Sequence, residues 1–280
     1  MTTLSLGYSP CPNDTFIFYA LVHGKVPLQG LTLQERLEDV ETLNRMAFRE
    51  ELDISKVSCH AFGHLQERYV LLRSGGALGK GCGPLLVAGE NNAAVSATGL
   101  AQQRIAVPGE YTTACLLLRL YDPKVHDIII LPFDRILQAV RDGVVDVGLI
   151  IHESRFTYQN FGLRKILDLG DWWEQYSGYP IPLGGIMVKR TLGKEVAGRI
   201  EEAIRQSIRY AQAHPEEARD YIRSHAQEMD DAVTAQHINL YVNEYSLDIG
   251  QDGENAVRFL LAEAQTRGII HAPSFTDLFW

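Results

Sequence analysis

No apolar run in this sequence approaches the roughly 20 residues that a membrane-spanning helix needs. The opening stretch, MTTLSLGYSPCPNDTF, has no basic segment, no long apolar core and no small-residue cleavage site, which argues against export. There is no Lys/Arg block, and 26 basic against 35 acidic residues give a net charge of −9, so nucleic acid and anionic membrane are poor partner classes. An anionic small molecule stays open, because helix dipoles can outweigh the global charge locally. Cysteine is scarce: Cys11, Cys59, Cys82 and Cys115 are scattered with no CxxC pair, the pattern of reduced thiols in a cytosolic protein. HExxH spacing and a Ser-His-Asp order are missing, which weakens zinc-protease and hydrolase readings. The glycine-rich run RSGGALGKGCG lacks the GxxxxGK[ST] spacing, and no helix clearly follows it. Turns beside a cleft suit it better than a nucleotide loop.

What is present is an ordinary globular mix, 46% hydrophobic and 22% charged over 280 residues, enough for roughly two domains. Strand and helix patterns alternate. Leu4, Leu6 and Tyr8 open a strand. The loop SPCPND leads to a helix over 15–23, with Asp14 as its N-cap and Gly24 to close it. Strands follow at 31–37, 53–58 and 69–72, with helices at 40–50 and 61–69 between them. Composition shifts near GENNAAVSATG, just after the apolar segment PLLVA, which marks a crossover. A second alternating run then begins, with strands at 104–107 and 128–131, helices from Thr112 and over 135–141, and a strand ending at His152. The aromatic, turn-rich DWWEQYSGYPIP is a candidate cleft wall, and PLGGIMVKR reads as the return strand before a mostly helical remainder. The double pattern predicts two α/β lobes with a cleft between them and two crossover strands, a large lobe over 1–88 and 186–280 and a small lobe over 89–185.

The stretch VDVGLIIHESRFTY carries the first chemical clue. Its apolar run reads as a central strand of a parallel sheet, buried on both faces, and it stops at His152. Ligands of open α/β sheets bind beyond the carboxyl ends of strands, so His152 stands at a crevice; a strand-end histidine satisfied by a loop carbonyl is the plainer alternative. Three strand-to-helix turns share that edge, with cap-type residues Asp14, Ser58, Thr112 and Thr113. Helix starts aimed into one cleft favour a carboxylate or phosphate, although Ser and Thr cap helices everywhere. Glu153 either orients His152 or faces solvent. His60 and His64 could share a helix face but lack a third ligand, so no metal is expected. Trp172, Trp173 and Tyr179 suit loop packing better than ligand stacking.

Taken together, SPCPNDTFIFYALVHGKV, LEDVETLNR, KVS, RSGGALGKGCGPL, VPGEYTTA and GLIIHESRFTY resemble the 1,4-dihydroxy-6-naphthoate synthase family of the futalosine route to menaquinone. The likeness extends through DLGDWWE and PLGGI to AHPEEARDYIRSHAQE and YVNEYSLDIG. The resemblance implies the two-lobed fold of type II periplasmic binding proteins. It also implies a cofactor-free carbon–carbon lyase that converts cyclic dehypoxanthinyl futalosine, an aromatic carboxylate, to 1,4-dihydroxy-6-naphthoate with loss of dihydroxyacetone. The family's proton acceptor falls on His152, and its substrate contacts fall on Lys56, Val57 and Ser58 and on Thr113 and Ala114. Asn13, Asp14 and Asn44 lie in matching motifs. Two rivals share the fold: a non-catalytic solute-binding protein for an aromatic carboxylate, and the chorismate dehydratase of the same pathway. The sequence leaves the oligomeric state open.

Overall fold

The computed structural model describes residues 2–92, 95–226, 230–271 and 277–280. The first half of the chain alternates as its pattern demands: β1 (Thr2–Tyr8), α1 (Pro12–Val22), β2 (Leu31–Leu37), α2 (Val40–Phe48), β3 (Ile54–Ser58), α3 (Cys59–Leu65), β4 (Tyr69–Leu71) and β5 (Ala77–Gly79). The chain then enters a second sheet with β6 (Leu85–Gly89), β7 (Ile105–Val107), α4 (Thr113–Tyr121), β8 (Ile128–Ile130), α5 (Phe133–Arg141), β9 (Val147–Ile150), α6 (Ser154–Thr157), β10 (Leu163–Asp168) and α7 (Leu169–Ser177). It returns through β11 (Ile181–Lys189) and finishes in α8 (Gly193–Ala213), α9 (Pro215–His225), α10 (Asp231–Tyr241), α11 (Glu244–Leu247) and α12 (Gly250–Thr266).

The first sheet has the order β2-β1-β3-β11-β4, with β5 also on β11; the second has the order β10-β6-β9-β7-β8. Thus the chain changes sheet between Gly79 and Leu85 and changes back between Asp168 and Ile181, some residues before each bound read from the sequence. The return strand β11 runs antiparallel to β3, β4 and β5. Its pairing with β5 shifts register between Pro182 and Gly184, where a proline cannot donate to the ladder. A Cβ on Gly184 would come within 2.6 Å of the Val57 carbonyl oxygen, so only glycine lets β11 approach β3 there.

Three local expectations change. β9 is fully buried, but it runs parallel to β7 and antiparallel to β6, so its sheet is mixed. The reason is the incoming crossover strand, whose direction no local pattern reveals. Helix α1 starts at Pro12 rather than Thr15: proline's missing N–H costs nothing at the first helical position, and Cys11 is the N-cap. Asp14 therefore lies inside the first turn and caps nothing. The aromatic segment is α7, capped by Asp168, whose carboxylate accepts from Gly170 N and Asp171 N. Trp173 is fully buried there and Trp172 stacks on Tyr176, so this segment packs the core and does not line the cleft.

One apolar cluster links the two lobes, running from Val57 and Phe62 through Leu86, Leu116 and Trp173 to Leu260. A second holds α1, which is apolar on every side because α8, α9 and α10 all pack around it. That burial fixes where α1 begins, and hence where Cys11, Asn13 and Asp14 stand.

Candidate active site

A cavity opens where the strand ends of both sheets face each other, the usual place for a small-molecule site in an open α/β fold. From β3 it takes Lys56, Val57 and Ser58; from the starts of α1 and α4, Asn13, Asp14, Thr112, Thr113 and Ala114; and His152 from just beyond β9. Every predicted site residue but one therefore lines one space. The exception is Asn44, which is fully buried behind Ser58. Its Oδ1 accepts from Ser58 N at 3.0 Å and its Nδ2 donates to Ser58 Oγ at 3.2 Å. Because that hydroxyl oxygen is already accepting, its own proton remains available to a ligand.

Thr112 caps α4 by accepting from Cys115 N at 3.2 Å. Thr113 Oγ1 donates to Leu183 O at 2.6 Å, tying α4 to β11 across the cleft. The Thr113 and Ala114 N–H groups belong to the first turn, where a helix has no internal acceptor for them. His60 adds a second tie, its Nδ1 lying 3.3 Å from the Thr112 carbonyl oxygen.

Lys56 and Asp14 form an ion pair at 3.0 Å and are both almost fully buried. The ammonium also donates to Gly75 O at 2.8 Å, and the carboxylate accepts from Ser9 Oγ at 2.7 Å and Asn13 Nδ2 at 2.8 Å. The pair is thus a strut in the cavity wall, with its charges spent on each other.

His152 has φ +56°, a left-handed backbone that costs a non-glycine residue about 1–2 kcal/mol. Its Nδ1 lies 3.4 Å from Cys11 Sγ, and its ring packs on Phe133 at 5.0 Å. Desolvation pushes the imidazole down to about 4, against the pull of Asp14 and Asp39 toward the charged form. The ring is therefore neutral at neutral pH. Burial also drives the Cys11 thiol well above its ordinary range, so it stays protonated beside the ring.

Sequence reasoning missed His237 and Tyr241, which α10 brings to the same cavity. They are four residues apart, and that helical spacing of two ring residues was the available signal. His237 is fully buried, lies nearly parallel to His152 at 6.2 Å between ring centroids, and its Nε2 is 2.8 Å from Asn13 Oδ1. Ligand atoms of Cys11, His152 and Glu153 lie within 4.8 Å of one another, a set able to hold a soft divalent cation. Among the described residues, His60 and His64 join no such group.

Burial depresses four histidines together: His152 to about 4, His60 to about 3, His237 well below its ordinary value, and His64 below its own. Between these values and about 6.5 the unfolded chain binds more protons than the folded one, so folding stability is lost as pH falls through that window. Each histidine contributes a slope of at most about 1.4 kcal/mol per pH unit. Burial of Glu41 raises its carboxyl and works in the opposite direction. A urea midpoint clearly lower at about pH 5 than at about pH 7 is expected; equal midpoints would contradict these burials.

A family model described as menaquinone biosynthesis matches residues 4–266. A "1,4-dihydroxy-6-naphtoate synthase" of Thermus thermophilus is 53% identical over 279 residues, covering 100% of both chains. A protein of the same name from Streptomyces coelicolor is 48% identical, over 96% of this chain and 95% of its own. Among solved structures, a protein from Archaeoglobus fulgidus has TM-score 0.89 at 38% identity, covering 96% of this chain and 98% of its own. The periplasmic aliphatic sulphonate binding protein of Escherichia coli has TM-score 0.68 at 11% identity, over 100% of this chain and 92% of its own, a likeness of fold alone. The architecture is thus that of periplasmic binding proteins, and the chain belongs to the menaquinone biosynthesis family.

Proposed function

We propose that this chain carries out the 1,4-dihydroxy-6-naphthoate synthase reaction, with His152 as proton acceptor. The substrate is cyclic dehypoxanthinyl futalosine; the products are 1,4-dihydroxy-6-naphthoate and dihydroxyacetone. The observation that carries this reading is a neutral imidazole, His152, on the wall of a cavity that the starts of α1 and α4 also line. A neutral ring can take a proton at once, whereas an imidazolium cannot. The substrate's carboxylate is an acceptor only, so it seeks donors, and the cavity offers the Ser58 hydroxyl and the first-turn N–H groups of α4. Among the described residues that line the cavity, the cation Lys56 does not compete for that role, since it is already paired with Asp14.

With the carboxylate held there, His152 removes a proton activated by a neighbouring carbonyl, the sugar-derived carbons depart, and the ring system becomes aromatic. Closure of the lobes about the segments where the chain changes sheet would exclude water and bring His152 to the reacting carbon. We assign the protein to the cytoplasm, a placement that fits its four buried, unpaired cysteines. Among the described residues no helix is long and apolar enough to cross a membrane.

The direct test incubates the purified protein with cyclic dehypoxanthinyl futalosine and follows naphthoate absorbance. Turnover supports the reading, and binding without turnover would favour a solute-binding protein. Product formed from chorismate instead would favour the dehydratase.

A further inference from the structure

The hydrogen-bond polarity around His237 can be read outward from one group whose role is certain. The Asp14 carboxylate, paired with Lys56, only accepts, so Asn13 must turn its Nδ2 toward it and donate, at 2.8 Å. Asn13 Oδ1 is then on the other side of the amide and must accept. The group 2.8 Å from it is His237 Nε2, which therefore carries the ring proton. That leaves Nδ1 of a fully buried imidazole as a bare lone pair, and among the described residues no group donates to it. Burial and the nearby His152 ring hold His237 well below its ordinary pKa, so Nδ1 stays bare at neutral pH. The other neighbours do not change this: Tyr241 on α10 and Phe156 on α6 present rings at 4.6 and 6.5 Å.

A buried acceptor without a donor carries a free-energy penalty that a ligand can remove. His237 lines the cavity 6.2 Å from the His152 ring, on the wall where the reacting carbons would sit. The ligand must bring a donor. The carboxylate and the ketone of the proposed substrate cannot donate, but the hydroxyls of its sugar-derived part can. We infer that His237 is a further substrate-contacting residue, whose Nδ1 accepts a hydrogen bond from a hydroxyl of the departing sugar-derived fragment. This rests on the function proposed above.

The test compares wild-type protein with His237→Gln, whose amide can still donate to Asn13 but has nothing at the Nδ1 position. The expected result is a fall of roughly 10- to 100-fold in kcat/KM for cyclic dehypoxanthinyl futalosine. Binding of 1,4-dihydroxy-6-naphthoate, which lacks the fragment, should change by less than about threefold, within the spread of an indirect effect. Equal losses for substrate and product, or no loss, would overturn the assignment while leaving the parent function intact. Wild-type protein that makes no naphthoate would overturn the parent function and this assignment together. A measurement that needs no variant is the nitrogen NMR spectrum of histidine-labelled wild-type protein. Nδ1 of His237 should be unprotonated and shift when dihydroxyacetone is added; a protonated Nδ1, or no shift at saturation, would overturn the assignment.

Discussion

Replacing His152 by alanine should lower kcat by about 10²- to 10⁴-fold while the protein stays folded and still binds the naphthoate product. The separation is expected because the groups that would hold the carboxylate belong to other elements. Ser58 is oriented by Asn44, and the α4 start by its own cap and by the Thr113 bond to Leu183 O. None of these contacts passes through the His152 ring. Alanine also keeps a Cβ at φ +56°, so the substitution leaves the local backbone penalty in place and does not confound the stability measurement. In the wild-type protein the acid limb of kcat/KM should lie near pH 4, the value to which desolvation brings this imidazole, and not near the unperturbed value of about 6.5. Single-turnover rates and product titration by fluorescence check both parts. Retained turnover in the variant would remove His152 from the chemistry.

The location of this histidine was legible before any coordinates, because a short apolar run that stops at polar residues has few readings. The starts of α3 and α4 were legible for a similar local reason, with the small polar residues Ser58 and Thr112 at their N-cap positions, whereas α1 begins behind Cys11 and Asp14 caps nothing. Non-local facts were not. Strand direction in the second sheet depends on β6 arriving from the other lobe, and nothing within Val147–Ile150 records its neighbours. Asp14 reads as a cap because caps are local, yet its partner Lys56 lies more than 40 residues on, on β3. His237 was the largest omission. It sits in a segment whose sequence says only that it is helical, and its arrival at the cavity depends on how α10 packs against α1. The aromatic segment at α7 was read as a candidate cleft wall, although Trp172 and Trp173 taken singly suited packing better than stacking on a ligand, and burial decided for packing.

Substituting Lys56 by methionine should destabilise the protein by about 3–5 kcal/mol, the usual cost of stripping one partner from a buried ion pair. Among the described residues Asp14 would then be left with Ser9 and Asn13 as donors, in a site that water barely reaches. Methionine fills the volume of the lysine stem, so the loss would report charge and not a void. The double variant Lys56→Met, Asp14→Asn should recover much of the loss in urea unfolding, since two neutral groups replace an orphaned charge. Activity should not recover with it. An asparagine at position 14 can donate as well as accept, so Asn13 no longer has to turn its Nδ2 inward. Once that constraint is gone, Asn13 Oδ1 need not face His237, and the ring is free to carry its proton on either nitrogen. A double variant as stable as wild type and equally active would show that the ion pair serves folding alone. Restored stability with depressed kcat/KM would mean that a pair of buried charges sets the polarity of the cavity wall through Asn13.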